Sequence, residues 1–166
     1  MKPPAFIVFL LILLSCQSQP AKLFWLAEPK GHRNDLLEMA ESTNCVPIVP
    51  DSLRFFQTEE EIFSAEKQVF KHFGTLHKNE RFSLQVILRE GSRPGRDYTF
   101  FLRTFDPTKK LIASLPLGVW QEAVGNYCTG YVDERLHIYK HCDEKGSMEF
   151  SIQEDGQFIE HALTQK

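Results

Sequence analysis

From Arg81 onward, apolar and polar side chains alternate along the chain. Phe82, Leu84, Val86 and Leu88 fall on one face, and Ser83, Gln85, Ile87 and Arg89 on the other. A period of two belongs to a β-strand with one buried face. The stretch GSRPG at 91–95 interrupts the run, and residues 98–105 form a second strand rich in aromatics. Further extended runs lie at 111–115, 127–132, 136–142, 148–152 and 158–163. Their connections (106–110, 133–135, 144–146 and the Asp155-Gly156 pair) hold two to five residues. Such short links join only antiparallel neighbours, because a parallel crossover needs about a dozen residues or more. Asp-Gly between two alternating runs is a strong hairpin signal. The pattern therefore predicts a curved antiparallel meander of about seven strands.

Ahead of the meander the period lengthens. Thr58, followed by Glu59, Glu60 and Glu61, makes a capping box, with three acids at the positive end of a helix dipole. Ile62, Ala65, Val69 and Phe73 then recur at helical spacing, Phe63 and Phe70 widen the stripe, and Gly74 reads as a stop. An amphipathic helix over 58–73, packed on the sheet, is predicted. Further upstream, 22–27 reads as a short strand, 35–41 as a short helix capped by Asn34, and 46–50 as extended because proline restricts its predecessor. Helix first and strands afterwards is an α+β order. The expected fold class is α+β, a single domain over 23–166.

The first residues carry an address rather than a fold. Lys2 precedes an unbroken apolar run of ten, Ala5 to Leu14. Ten helical residues span about 15 Å, roughly half a hydrocarbon core, so the run is a signal peptide and not an anchor. Leu13-Leu14-Ser15-Cys16 resembles the bacterial lipobox, in which the cysteine after a small residue receives the lipid. Residues 1–15 are then a lipoprotein signal peptide, Cys16 the lipidation site, and 16–22 the lipidated cysteine with a polar tether. Membrane attachment through that anchor is the expected partner interaction. The other reading is an ordinary secretory signal cleaved near Gln19.

Composition narrows the rest. Lys and Arg number 19 against 22 Asp and Glu, a net charge of −3, so no basic excess exists to neutralise phosphates and no nucleic-acid partner is expected. Fourteen Phe in 166 residues point to an aromatic core or an apolar groove.

The strand and turn TFFLRTFD at 99–106, the following KLIAS at 110–114, and the closing hairpin MEFSIQEDGQFI at 148–159 resemble small envelope lipoproteins of the Bacteroidota. The likeness runs over about 55–163 and lies in the sheet pattern. It implies an envelope lipoprotein and attaches no activity. Lipoproteins of that group bound for the cell surface often carry acidic residues just after the lipid cysteine. Here Gln17-Ser18-Gln19 stand in that place, which favours a periplasm-facing protein.

Candidate chemistry is sparse. With Cys16 lipidated, Cys45, Cys128 and Cys142 remain, and an oxidising compartment favours one bridge and one odd thiol. Cys128 and Cys142 are equidistant from Arg135, which sets them opposite one another across a hairpin, either as a disulfide or as two buried thiols. His137 and His141 are four apart, but on a strand that spacing is about 13 Å, too far for one metal ion. They read as surface or groove-lining histidines. No nucleophile elbow, zincin, phosphate-loop or dinucleotide motif occurs. No catalytic, metal or cofactor residue is assigned, and no cofactor is expected. Two functions remain: a non-enzymatic binding or structural lipoprotein whose sheet engages a protein, a lipid or another hydrophobic partner, and an envelope hydrolase with scattered site residues.

Overall fold

The computed structural model describes residues 22–25, 46–48, 57–58, 68–91 and 97–162. Ten strands lie among them: β1 (Lys22–Trp25), β2 (Val46–Pro47), β3 (Val69–Lys78), β4 (Ser83–Glu90), β5 (Asp97–Phe105), β6 (Leu111–Gln121), β7 (Asn126–Asp133), β8 (Ile138–Cys142), β9 (Gly146–Ile152) and β10 (Phe158–His161). From β2 to β10 each strand pairs with the next, and β1 pairs with β7. Every pairing is antiparallel. The only helix among the described residues is a 3-10 turn, Glu122–Val124.

This corrects the α+β expectation. The last five residues of the predicted helix, Val69–Phe73, open strand β3, which pairs with β4 from Val69 opposite Glu90 to Lys78 opposite Ser83. Residues 59–67, with the three glutamates of the capping box, lie outside the described residues, as does the helix read at 35–41. The physical reason is visible at Phe70 and Phe73. The helical reading put both on one stripe, but Phe70 packs with Ile87 and Phe101 while Phe73 packs on the opposite side, against Phe24 and Phe100. A bulge between His72 and Gly74 produces a three-residue repeat inside a strand. Without β3, the edge of β4 would hold unpaired amides beside a row of buried side chains, so the ladder outweighs local propensity.

The long sheet doubles back on itself. β6 pairs with β5 over most of its length, and only Val119, Trp120 and Gln121 pair with β7. The change follows an irregularity at Pro116–Gly118, where proline cannot donate to the ladder. Past Cys128 the freed edge of β7 is taken by β1, with Trp25 opposite Tyr131. The β7–β10 half thereby covers the β3–β6 half. Leu84, Val86, Leu88, Phe100 and Leu102 form one core with Val132, Ile138 and Phe150. Leu84, Val86 and Leu88 are fully buried, each stabilising by about 1.5–3 kcal/mol relative to exposure. At the far end Thr104 Oγ1 donates to the Gly156 carbonyl at 2.7 Å, and Arg81 pairs with Glu154, which ties the β9–β10 turn to β4 and β5.

Three hairpins share one turn geometry. Asp106, Asp133 and Gln153 each accept at the carbonyl from the N–H three residues on, and donate to the carbonyl four residues on. The fourth residue of each is left-handed: Lys109 (φ 69°), Leu136 (φ 62°) and Gly156 (φ 87°). The two aspartates reinforce this by accepting backbone N–H bonds at Oδ1, from Thr108 and Lys110 in one turn and from Arg135 and His137 in the other.

Candidate functional site

On the face of β3–β5 turned away from the main core, side chains of alternating sequence position converge. His72 and Thr75 come from β3, Ser83 and Gln85 from β4, and Phe105 from β5. β2 pairs with β3 at His72 and Lys71 and brings Pro47 and Ile48 to one side. The Asp106–Lys109 turn closes the other side through Pro107 and Lys109, and Lys78 and Asn79 stand at the end. The result is a groove of about 570 Å³, within the usual range of small-molecule sites. Its floor mixes hydrogen-bonding groups with Phe105, and its sides are apolar.

Among the described residues, two lysines and one aspartate line it. Asp106 is committed to its own turn, where Oδ1 accepts from the Thr108 hydroxyl at 2.7 Å and from the Thr108 and Lys110 N–H groups. The Thr108 hydroxyl bond, then the Lys110 N–H, hold its carboxyl below the ordinary range, so it stays ionised. His72 Nε2 is buried without a hydrogen-bond partner among the described residues. Burial pushes its imidazole below the ordinary value, against a smaller upward pull from the neighbouring Gln85 amide. At neutral pH His72 is therefore uncharged, and the described residues of the lining carry a net positive charge on a chain that is negative overall.

Beside the groove the same face holds a fully buried arginine. The Arg103 guanidinium lies 4.4 Å from the centre of the Phe101 ring and 5.6 Å from that of Phe70, and its Nε donates to Ser114 Oγ at 3.1 Å. Arg89 lies 5.3 Å from Phe101 and donates to Thr99 Oγ1. These contacts fix β3, β4 and β5 under the groove.

The cysteines that the sequence set opposite one another, Cys128 and Cys142, are bonded to each other across β7 and β8, with Cα atoms 4.1 Å apart. Asp143 N–H donates to the Tyr127 carbonyl next to the pair, so the two residues occupy a non-hydrogen-bonded position, where side chains approach most closely. Both sulfurs are buried against Val119 and Met148. Cys16 and Cys45 lie outside the described residues. His137 and His141 are exposed, and His141 shares a hydrogen bond with Ser147 at 3.0 Å. Among the described residues no group of three or more His, Cys, Asp or Glu is placed to hold a metal ion.

The outer face of β7–β10 carries a second set of polar groups. Tyr131 and Tyr139 stack at 4.6 Å, and burial, then the neighbouring phenol or carboxylate charges, raise both hydroxyls above the ordinary value. His161 Nε2 and Ser151 Oγ are 2.8 Å apart, the spacing of a base and a nucleophile. His161 is exposed, so this pair sits in water rather than in the dry, preorganised setting that stabilises an oxyanion. Among the described residues, no helix is long and apolar enough to cross a membrane.

No known protein family matches the chain, and no curated protein or solved structure is significantly similar to it.

The groove was not legible in the sequence. His72 falls inside the predicted helix, and Lys109 inside the predicted 106–110 connection. One signal was available: Lys109 stands where this kind of hairpin turn favours glycine.

Proposed function

We propose that the protein is a membrane-anchored lipoprotein of a bacterial envelope, akin to those of the Bacteroidota, that binds a hydrophobic ligand through its sheet. Lipid on Cys16 holds it to the membrane, and residues 16–22 give the domain its tether on the periplasmic side. The observation that carries the binding reading is the groove between β2 and the Asp106–Lys109 turn. It has apolar sides in Ile48 and Pro107, and a floor that joins Phe105 to hydrogen-bonding capacity in His72 and Gln85. Pockets of this make-up orient a ligand by a few polar contacts and hold it by apolar area.

Two experiments test the two parts. Nile red should bind the full chain and be excluded by Thr75→Trp, which places a large ring in the groove from an exposed position. Equal binding by that variant removes the groove as the site. Cys16→Ala should move the protein from the membrane fraction to the soluble fraction, and unchanged fractionation removes the anchor. A hydrolase reading has one observation in its favour, the Ser151–His161 contact. Covalent labelling of Ser151 by a fluorophosphonate, abolished by His161→Ala, would move the function to that face.

A further inference from the structure

We propose, resting on the groove reading above, that the ligand is a long-chain carboxylate, a fatty-acid anion whose head is held by Lys109 and Lys78. Three observations converge on this. The first is charge. With His72 uncharged and Asp106 ionised, Lys78 and Lys109 leave the described part of the lining with a single net positive charge, which complements a monoanion. A phosphate monoester, closer to a dianion at neutral pH, matches it less well. Among the described residues the one carboxylate in the lining, Asp106, is occupied by its own turn, and neither lysine has an ion-pair partner.

The second is the backbone at Lys109. Of the three hairpins with the same turn, one uses glycine at the left-handed position, Gly156, where a Cβ would come within 3.0 Å of Ile112. Another uses Leu136, whose side chain packs on the main core and repays the conformation there. Lys109 is exposed and packs on no core, yet adopts φ 69° where glycine carries no steric cost. What its side chain does have is a place on the groove lining. A strained residue with no packing return points to a use for its head group.

The third is the division of the lining. The lysines come from the end of β3 and from the β5–β6 turn, while Ile48, Pro47 and Phe105 supply apolar surface between β2 and β5. That is the order an amphiphile needs, head at the cations and chain along the wall.

The test is calorimetric titration of the full chain with dodecanoate, dodecanol and dodecyl phosphate, each below its micelle concentration. Dodecanoate should bind tightest. Lys109→Gly and Lys78→Ala should each weaken it by about two- to fivefold, the effect of an exposed charge pair, and added salt should weaken the wild type in the same sense. Lys109→Gly should weaken dodecanol binding far less than dodecanoate binding and leave the melting temperature at or above that of the wild type, so lost affinity is not lost folding. Dodecanol binding as tightly as dodecanoate, dodecyl phosphate binding more tightly, or Lys109→Gly binding dodecanoate like the wild type each overturns the assignment of the head group. If no amphiphile binds, or if Thr75→Trp binds them all unchanged, it is the groove itself that fails.

Discussion

Breaking the Cys128–Cys142 bond is the cleanest perturbation of the fold, because reduction removes a constraint and leaves every side chain in place. The bond spans a sequence separation of 14. Chain-entropy arguments give a loop of that length about 3 kcal/mol at 25 °C. The hairpin it closes is already organised. Asp133 Oδ1 caps the turn through Arg135 and His137, and five cross-strand pairs run from Cys128–Cys142 to Val132–Ile138. Residual hairpin in the reduced, unfolded chain lowers the loss, so reduction should cost about 2–3 kcal/mol. For a chain of this size the melting temperature falls by about 2–4 °C per kcal/mol, hence by roughly 4–12 °C. The assay is urea denaturation with and without dithiothreitol, read by tryptophan fluorescence. The denaturant midpoint should fall and the m-value should rise, since the uncrosslinked unfolded chain exposes more surface. The double variant Cys128→Ala/Cys142→Ala should lose about 1 kcal/mol more, for the space the sulfurs leave against Val119 and Met148. Unchanged midpoint and m-value on reduction would refute the reasoning, because the bond would then constrain nothing that the hairpin does not already hold.

Other consequences follow from single contacts. A Cβ on Gly130 would stand 2.2 Å from the Tyr139 carbonyl oxygen and 2.6 Å from Leu117 Cδ1, so Gly130→Ala should destabilise by about 2–3 kcal/mol in the same denaturation assay. Thr104→Val keeps the shape but leaves the Gly156 carbonyl without its 2.7 Å donor, and should cost about 1–2 kcal/mol. His72 has a folded-state value below its unfolded value of 6.5, so the unfolded chain binds more protons. Its contribution is therefore intact above 6.5 and is lost as the pH falls below it. The stability difference between the wild type and His72→Gln, measured from urea midpoints, should shift against the wild type from neutral to mildly acidic pH, and a constant difference would contradict the buried, neutral imidazole.

The meander was readable because its signals are local and repeated. Alternation in β4, the Asp-started turns and the Asp155-Gly156 step each specify antiparallel neighbours with no help from the rest of the chain. Of the extended readings at 22–27 and 46–50, Lys22–Trp25 and Val46–Pro47 are strands, and residues 26–27 and 49–50 lie outside the described residues. Val69 to Phe73 went the other way because its apolar residues recur at three- and four-residue spacing, which a bulged strand and a helix share. Only the presence of β4 beside it decides between them. The sheet's return onto itself depends on Pro116 and on β1 filling the edge of β7, a long-range event with no sequence period. The groove needs β2, β3, β4, β5 and the β5–β6 turn in one place, so His72 and Lys109 acquire a shared role only after folding.

The central claim, that the β2–β5 groove is the binding site, is tested most directly by amide and side-chain NMR shifts while the labelled full chain is titrated with dodecanoate. The account predicts saturable changes clustered at His72, Thr75, Gln85, Phe105 and Lys109, with Tyr131, Tyr139 and His161 on the opposite half unmoved. Saturable changes centred on Tyr131, Tyr139 and His161, with the groove silent, would contradict it.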